Sequence, residues 1–126
     1  MDKVFFLNAK PIFAQSDRKE SVVSCGYRAD FVLDKKCNGA VINITGRSYY
    51  RLFVNGKFVM HGPARTARGY LRVDEVDISD FVVEGTNIIA IEQISYGKLF
   101  GGYSNHLTLE DGVIIFEIYD ANGNTL

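Results

Sequence analysis

The feature that most constrains this chain is a hairpin written into its middle. Tyr49-Tyr50-Arg51-Leu52-Phe53-Val54 and Lys57-Phe58-Val59-Met60-His61 flank Asn55-Gly56. Both runs are rich in aromatic and β-branched residues, which suit a pleated, half-buried surface. Asn-Gly tolerates φ > 0 at both central residues of a type I′ turn, the turn whose twist matches that of two paired strands. A two-residue turn also sets register, predicting Val54 opposite Lys57, Phe53 opposite Phe58, Leu52 opposite Val59 and Tyr50 opposite His61. Apolar pairs then fall on both faces of the hairpin. One face is expected in a sandwich interior and the other against further protein. His61, beside Tyr50, Leu52 and Val59, reads as a satisfied sheet histidine rather than a ligand.

A period of two governs nearly all the remaining segments. Tyr27, Ala29, Phe31 and Leu33 alternate with Arg28 and Asp30. After a turn at Asp34-Lys35-Lys36-Cys37-Asn38-Gly39, Ala40, Ile42 and Ile44 alternate with Val41, Asn43 and Thr45. These are half-buried strands. Val73 to Ile78 is a strand candidate with an acidic outer edge, and Ser79-Asp80 opens a short helical turn ending near Glu84-Gly85. Asn87 to Ile94 is almost continuously apolar, the pattern of a strand covered on both faces. Ile114, Phe116 and Ile118 share one face of a last strand over Val113 to Tyr119. Gly62-Pro63 ends one strand, and Asp120-Ala121-Asn122-Gly123-Asn124 is a second hairpin turn. Only Thr125-Leu126 follow it, so the natural polypeptide is expected to continue. The fold class is all-β: one antiparallel β-sandwich of jelly-roll, galactose-binding-like type over residues 1–126.

Composition narrows the function classes. A chain of 126 residues suits one domain that buries roughly two thirds of its unfolded surface. Its formal net charge of −1 gives no general pull toward nucleic acid or anionic lipid. No apolar run approaches a membrane span. Val4-Phe5-Phe6-Leu7 is too short for a signal-peptide core, which points to a cytoplasmic protein or to a chain that starts inside a longer one. Cys25, Cys37, His61 and His106 lack metal-ligand spacing, so neither a metal nor a cofactor is expected. Two reduced thiols are favoured over a Cys25–Cys37 disulfide. Asn43-Ile44-Thr45 matches a glycosylation sequon but lies inside a strand.

Several pieces in a fixed order resemble the N-terminal domain of bacterial α-L-rhamnosidases. They are Tyr50-Arg51-Leu52-Phe53-Val54-Asn55-Gly56-Lys57, Gly62-Pro63-Ala64-Arg65, Asp74-Glu75-Val76-Asp77-Ile78 and Gly85-Thr86-Asn87-Ile88-Ile89-Ala90-Ile91. Tyr27-Arg28-Ala29-Asp30-Phe31 looks like that family's first strand, and Leu107 to Thr125 is compatible with its closing strands. The resemblance covers roughly residues 20 to 126. The sugar-binding-like domains of other glycoside hydrolases use the same strand–Asn-Gly-Lys–strand unit. The Gly-Pro-Ala-Arg run and the Asp-Glu-Val-Asp segment tilt the choice toward rhamnosidases. The family's tryptophans near these strands have no counterpart here, because the chain contains no Trp. The resemblance implies an accessory β-sandwich whose partner is the catalytic domain of the same polypeptide. In such enzymes an (α/α)-barrel holds the catalytic carboxylates, and no segment here reads as that barrel. No catalytic residue is therefore carried over.

Three groups of residues merit weighing as sites. Glu75 and Asp77 would stand about 6.6 Å apart along one strand face, near the 6.5–9.5 Å between carboxyl groups of an inverting glycosidase. Any i, i+2 acidic pair has that spacing, so a solvated edge is the better reading. Arg65, Arg68 and Tyr70 could bind a saccharide through guanidinium forks and an aromatic face, or could anchor their loop or dock a neighbouring domain. The loop from Ser95 to His106 is longer than a strand connection needs. Its Tyr96, Tyr103, Asn105 and His106 could form a stacking platform with polar partners, while Leu99 and Phe100 argue for packing under the loop or against another domain.

Overall fold

Among the described residues the alternating pattern becomes seven strands: β1 (Val23–Leu33), β2 (Ala40–Gly46), β3 (Tyr49–Val54), β4 (Lys57–Gly62), β5 (Asp74–Asp77), β6 (Gly85–Ser95) and β7 (Ile114–Asp120). A short 3₁₀ turn, Ser79–Phe81, follows β5. The computed structural model describes residues 5–13, 23–34, 38–64, 66–67, 69–95 and 112–126. A four-stranded sheet in the order β1-β6-β3-β4 faces a three-stranded sheet in the order β5-β2-β7, and every pairing is antiparallel. Apart from the β3–β4 hairpin, each connection passes from one sheet to the other. The expected antiparallel sandwich is the observed one.

One face of each sheet supplies the core. Phe31 and Leu33 from β1, Ile42 and Ile44 from β2, and Leu52 and Val54 from β3 meet Ile89 and Ile91 from β6 and Ile114 and Ile118 from β7. Burying each such side chain contributes about 1.5–3 kcal/mol, which makes the alternation decisive for strand orientation. Tyr50 lies in this interior with 1% exposure. Its hydroxyl donates to Asp74 Oδ2 at 2.7 Å, joining β3 of one sheet to β5 of the other. Arg72 Nε donates to the other oxygen of that carboxylate at 3.0 Å. Burial first, then the Asp74 carboxylate, pushes the Tyr50 phenol well above its ordinary range, so it remains a donor.

The two turn motifs share one cause. Asn55 and Gly56 have φ of 49° and 77°, as a type I′ turn requires. The Asn55 side chain also points back into the fold, donating to Asn87 Oδ1 at 2.8 Å and to the Phe81 carbonyl at 2.9 Å. Its own Oδ1 accepts the Ile88 N–H at 2.9 Å. Asn87, fully buried, accepts from the Val83 N–H and donates to the carbonyls of Val83 and Gly85. A buried amide that makes all its bonds is favourable where a half-satisfied one is costly. Asn-Gly-Lys and Gly-Thr-Asn are thus two halves of one network that ties the hairpin tip to the entry of β6.

The structure corrects two expectations. The hairpin keeps Val54–Lys57 and Phe53–Phe58, then shifts register between Leu52 and Phe53. Leu52 pairs with Met60, Arg51 with His61 and Tyr50 with Gly62, leaving Val59 as the extra residue of a bulge. His61 therefore lies beside Arg51, not Tyr50, and it is exposed. The second correction concerns β6, which is central yet fully covered on one face only. Asn87, Ile89, Ile91 and Gln93 are buried while Glu92 and Ile94 are exposed. Residues 5–8, which the sequence left unassigned to any element, serve as a strap over the outer face of the three-stranded sheet. Asn43 Nδ2 donates to the Phe5 carbonyl, and the Tyr119 hydroxyl joins the N–H groups of Leu7 and Asn8 in donating to the Glu117 carboxylate, at 2.8, 2.6 and 3.0 Å.

Candidate functional site: a groove on the four-stranded sheet

The outer face of the four-stranded sheet carries an open groove between its hairpin and β1. Register places Gly26 (β1), Glu92 (β6), Arg51 (β3) and His61 (β4) in one row across four strands. Ser24, Ile94 and Tyr49 form the adjacent row. Together they line an open groove of about 580 Å³, within the size of small-ligand sites. Arg51 Nη2 and Glu92 Oε2 form an ion pair between β3 and β6, with both side chains about half exposed. The Arg51 guanidinium also lies 5.9 Å from the centre of the Phe53 ring, and Phe53 meets Phe58 edge-to-face at 5.7 Å. These aromatic contacts limit the rotamers of Arg51 and so orient the pair.

The residues expected to form sites fare differently. Arg65, Arg68, Tyr96, Tyr103, Asn105 and His106 lie outside the described residues, as does Cys37. Tyr70 is 73% exposed at the end of a turn, where its N–H donates to the Ala67 carbonyl and its carbonyl accepts the Thr66 hydroxyl. Cys25 carries a half-buried thiol. Glu75 and Asp77 both point outward from edge strand β5. Asp77 is engaged: its Oδ1 accepts from the Ser79 hydroxyl and the Ser79 N–H at 2.5 and 2.9 Å. Those bonds hold its carboxyl below the ordinary range, the reverse of what a general acid needs. Asn43 is buried and its amide is committed to Phe5, so the sequon is closed to an oligosaccharide in this fold. Among the described residues, no group of His, Cys, Asp or Glu could hold a metal ion, and no helix is long and apolar enough to cross a membrane.

The groove residues were not singled out from sequence. Arg51 and Glu92 both point outward in their strands, but 41 positions separate them (92 − 51). Only the β3–β6 pairing brings them together. The one local signal was Gly26, which stands alone in an otherwise regular alternation.

Comparison with solved structures defines the class. Over nearly its whole length the chain is similar to a small segment of α-L-rhamnosidases. It aligns to the GH78 family rhamnosidase of Bacillus sp. GL1 with a TM-score of 0.80 and 30% identity, over 95% of this chain and 12% of that one. The α-L-rhamnosidase of Dictyoglumus thermophilum gives 0.64 and 16% over 94% of this chain and 14% of its own. That of Streptomyces avermitilis, solved with L-rhamnose, gives 0.57 and 21% over 85% and 11%. The last two show the fold alone. No protein-family model and no curated protein sequence matches the chain. The resemblance carried by the Tyr50–Lys57 and Gly85–Ile91 motifs is thus borne out in three dimensions, with the chain spanning about an eighth of the rhamnosidases it resembles.

Proposed function

We propose that this chain is a non-catalytic accessory β-sandwich of an α-L-rhamnosidase-like glycoside hydrolase, supporting a catalytic domain elsewhere in the same polypeptide. The observation that carries this reading is the Bacillus alignment, which takes in 95% of this chain and only 12% of that enzyme. The carboxylates support it as well. Asp77 caps a turn, Asp74 binds Tyr50 and Arg72, and Glu117 binds the N-terminal strap. The test is release of nitrophenol from 4-nitrophenyl α-L-rhamnopyranoside by the purified chain. The reading predicts no release above the blank, and turnover abolished by Glu75→Gln would overturn it. A second reading, a carbohydrate-binding module, is favoured by the groove beside the Arg51–Glu92 pair.

A further inference from the structure

Nothing among the described residues accounts for a glycine at position 26. It sits in the middle of an eleven-residue strand, where glycine weakens the strand by its backbone freedom and lack of packing. A strand glycine ordinarily answers to a positive φ, a bulge or a crowded neighbour. Gly26 is not among the positive-φ glycines. The β1–β6 register runs unbroken from Val23–Ser95 to Leu33–Gly85. A Cβ built at Gly26 would meet nothing within 4 Å. Gly39, Gly46 and Gly62 differ, since there a Cβ would come within 3.0 Å of Ser79, Ile114 or Tyr50. The remaining reason for a strand glycine is the close approach of something from outside, and Gly26 lies on the floor of the groove.

We propose that this groove is a saccharide-binding site whose depth is kept by Gly26. The proposal rests on the glycoside-hydrolase reading above and gives it a location. Arg51 offers N–H donors directly beside the Glu92 acceptor. Each sugar hydroxyl is both donor and acceptor, so two neighbouring hydroxyls match the pair. The charges of Arg51 and Glu92 cancel, which favours a neutral polyhydroxylated ligand over an ion. Tyr49 and Ile94, 40% and 38% exposed, supply the apolar wall that the C–H face of a pyranose needs.

The test is titration of the ¹⁵N-labelled chain with L-rhamnose, methyl α-L-rhamnoside, D-galactose and D-glucose at millimolar concentrations, alongside Gly26→Val and Arg51→Ala. The expected result is saturable shifts at the amides of 24–26, 49–51 and 92–94 with at least one of these sugars. Gly26→Val should weaken that binding by more than about tenfold, while its melting temperature stays equal or rises, because valine suits a strand. This stability readout separates a filled groove from a damaged fold. No saturable response to any of the four sugars would overturn the site and leave the accessory reading to its own turnover test. Binding that survives both Gly26→Val and Arg51→Ala would also overturn it. A response at these amides to galactose or glucose but not to either rhamnoside would uphold the groove and count against the rhamnosidase assignment.

Discussion

At the scale of single residues, buried polar groups decide more than their number suggests. Asn87 makes every hydrogen bond its amide allows, inside a fold where water cannot replace a lost partner. Asn87→Ala strands the Val83 N–H and one Asn55 donor, and each unsatisfied group costs about 1–3 kcal/mol. Urea unfolding should therefore show a loss of about 2–4 kcal/mol, against under ~0.5 kcal/mol for an exposed control such as Asn122→Ala. Glu117 makes a pH-dependent claim. Burial opposes its charge, but the Tyr119 hydroxyl and the N–H groups of Leu7, Asn8 and Ala9 outweigh that and hold its carboxyl below the ordinary 4.5. A carboxyl with a depressed folded pKa contributes stability that is present above its unfolded value and lost as pH falls through the folded one. Glu117→Gln should thus melt lower than wild type at pH 7, and the gap between the two should shrink as pH falls below the unfolded 4.5 and close once it is under the depressed folded value. A gap that stays constant with pH would sink the idea. The sequence marked Asn55 and Asn87 through their turn motifs, but it held no sign of Glu117. Its N-terminal partners lie about 110 positions away and are backbone groups, which leave no pattern in side-chain identity.

At the scale of elements, strand placement followed from the alternation of Tyr27 to Leu33, Ala40 to Ile44 and Ile114 to Ile118, because each has one apolar and one polar face. Alternation failed where packing overrode local pairing. The β3–β4 ladder was readable from Asn-Gly for its first two pairs and then slipped at the Val59 bulge. The bulge brings Gly62 opposite Tyr50, where a Cβ would lie 2.6 Å from the phenol oxygen and 3.0 Å from Asp74 Oδ2. Only glycine leaves room for the bond between the two sheets. Gly62→Ala should cost about 1–3 kcal/mol through overpacking, and Tyr50→Phe about 1–2 kcal/mol through the lost hydrogen bond. A Cβ at position 62 also meets the ring Cζ at 2.7 Å, so Gly62→Ala already displaces the phenol from Asp74. Losing the hydroxyl then costs little more, and the combined loss measured by denaturant unfolding should fall short of the sum. Strict additivity would mean that the two residues do not share this contact. The nearly unbroken apolar run of β6 misled for a related reason. Ile88, Ala90 and Ile94 lie on the face opposite the core, where they are only partly covered or exposed, and sequence alone does not say whether such a face meets solvent, ligand or protein.

At the scale of the whole molecule, each sheet gives one face to the common core and differs in what it does with the other. The three-stranded sheet covers its polar outer face with residues 5–8. The four-stranded sheet leaves Arg51, Glu92, Tyr49 and Phe58 of its outer face at the surface. The sandwich and its rhamnosidase likeness were legible because motif order reflects strand order. The groove was not, because it is assembled from four strands whose adjacency is non-local. The central claim is that such a sandwich supports a larger rhamnosidase body. Its most direct test is to replace the matching segment of the Bacillus sp. GL1 rhamnosidase with residues 1–126 and measure hydrolysis of 4-nitrophenyl α-L-rhamnopyranoside beside a version with that segment deleted. The account predicts that the hybrid recovers most of the activity and melting temperature that deletion removes. A hybrid no better than the deletion would contradict it.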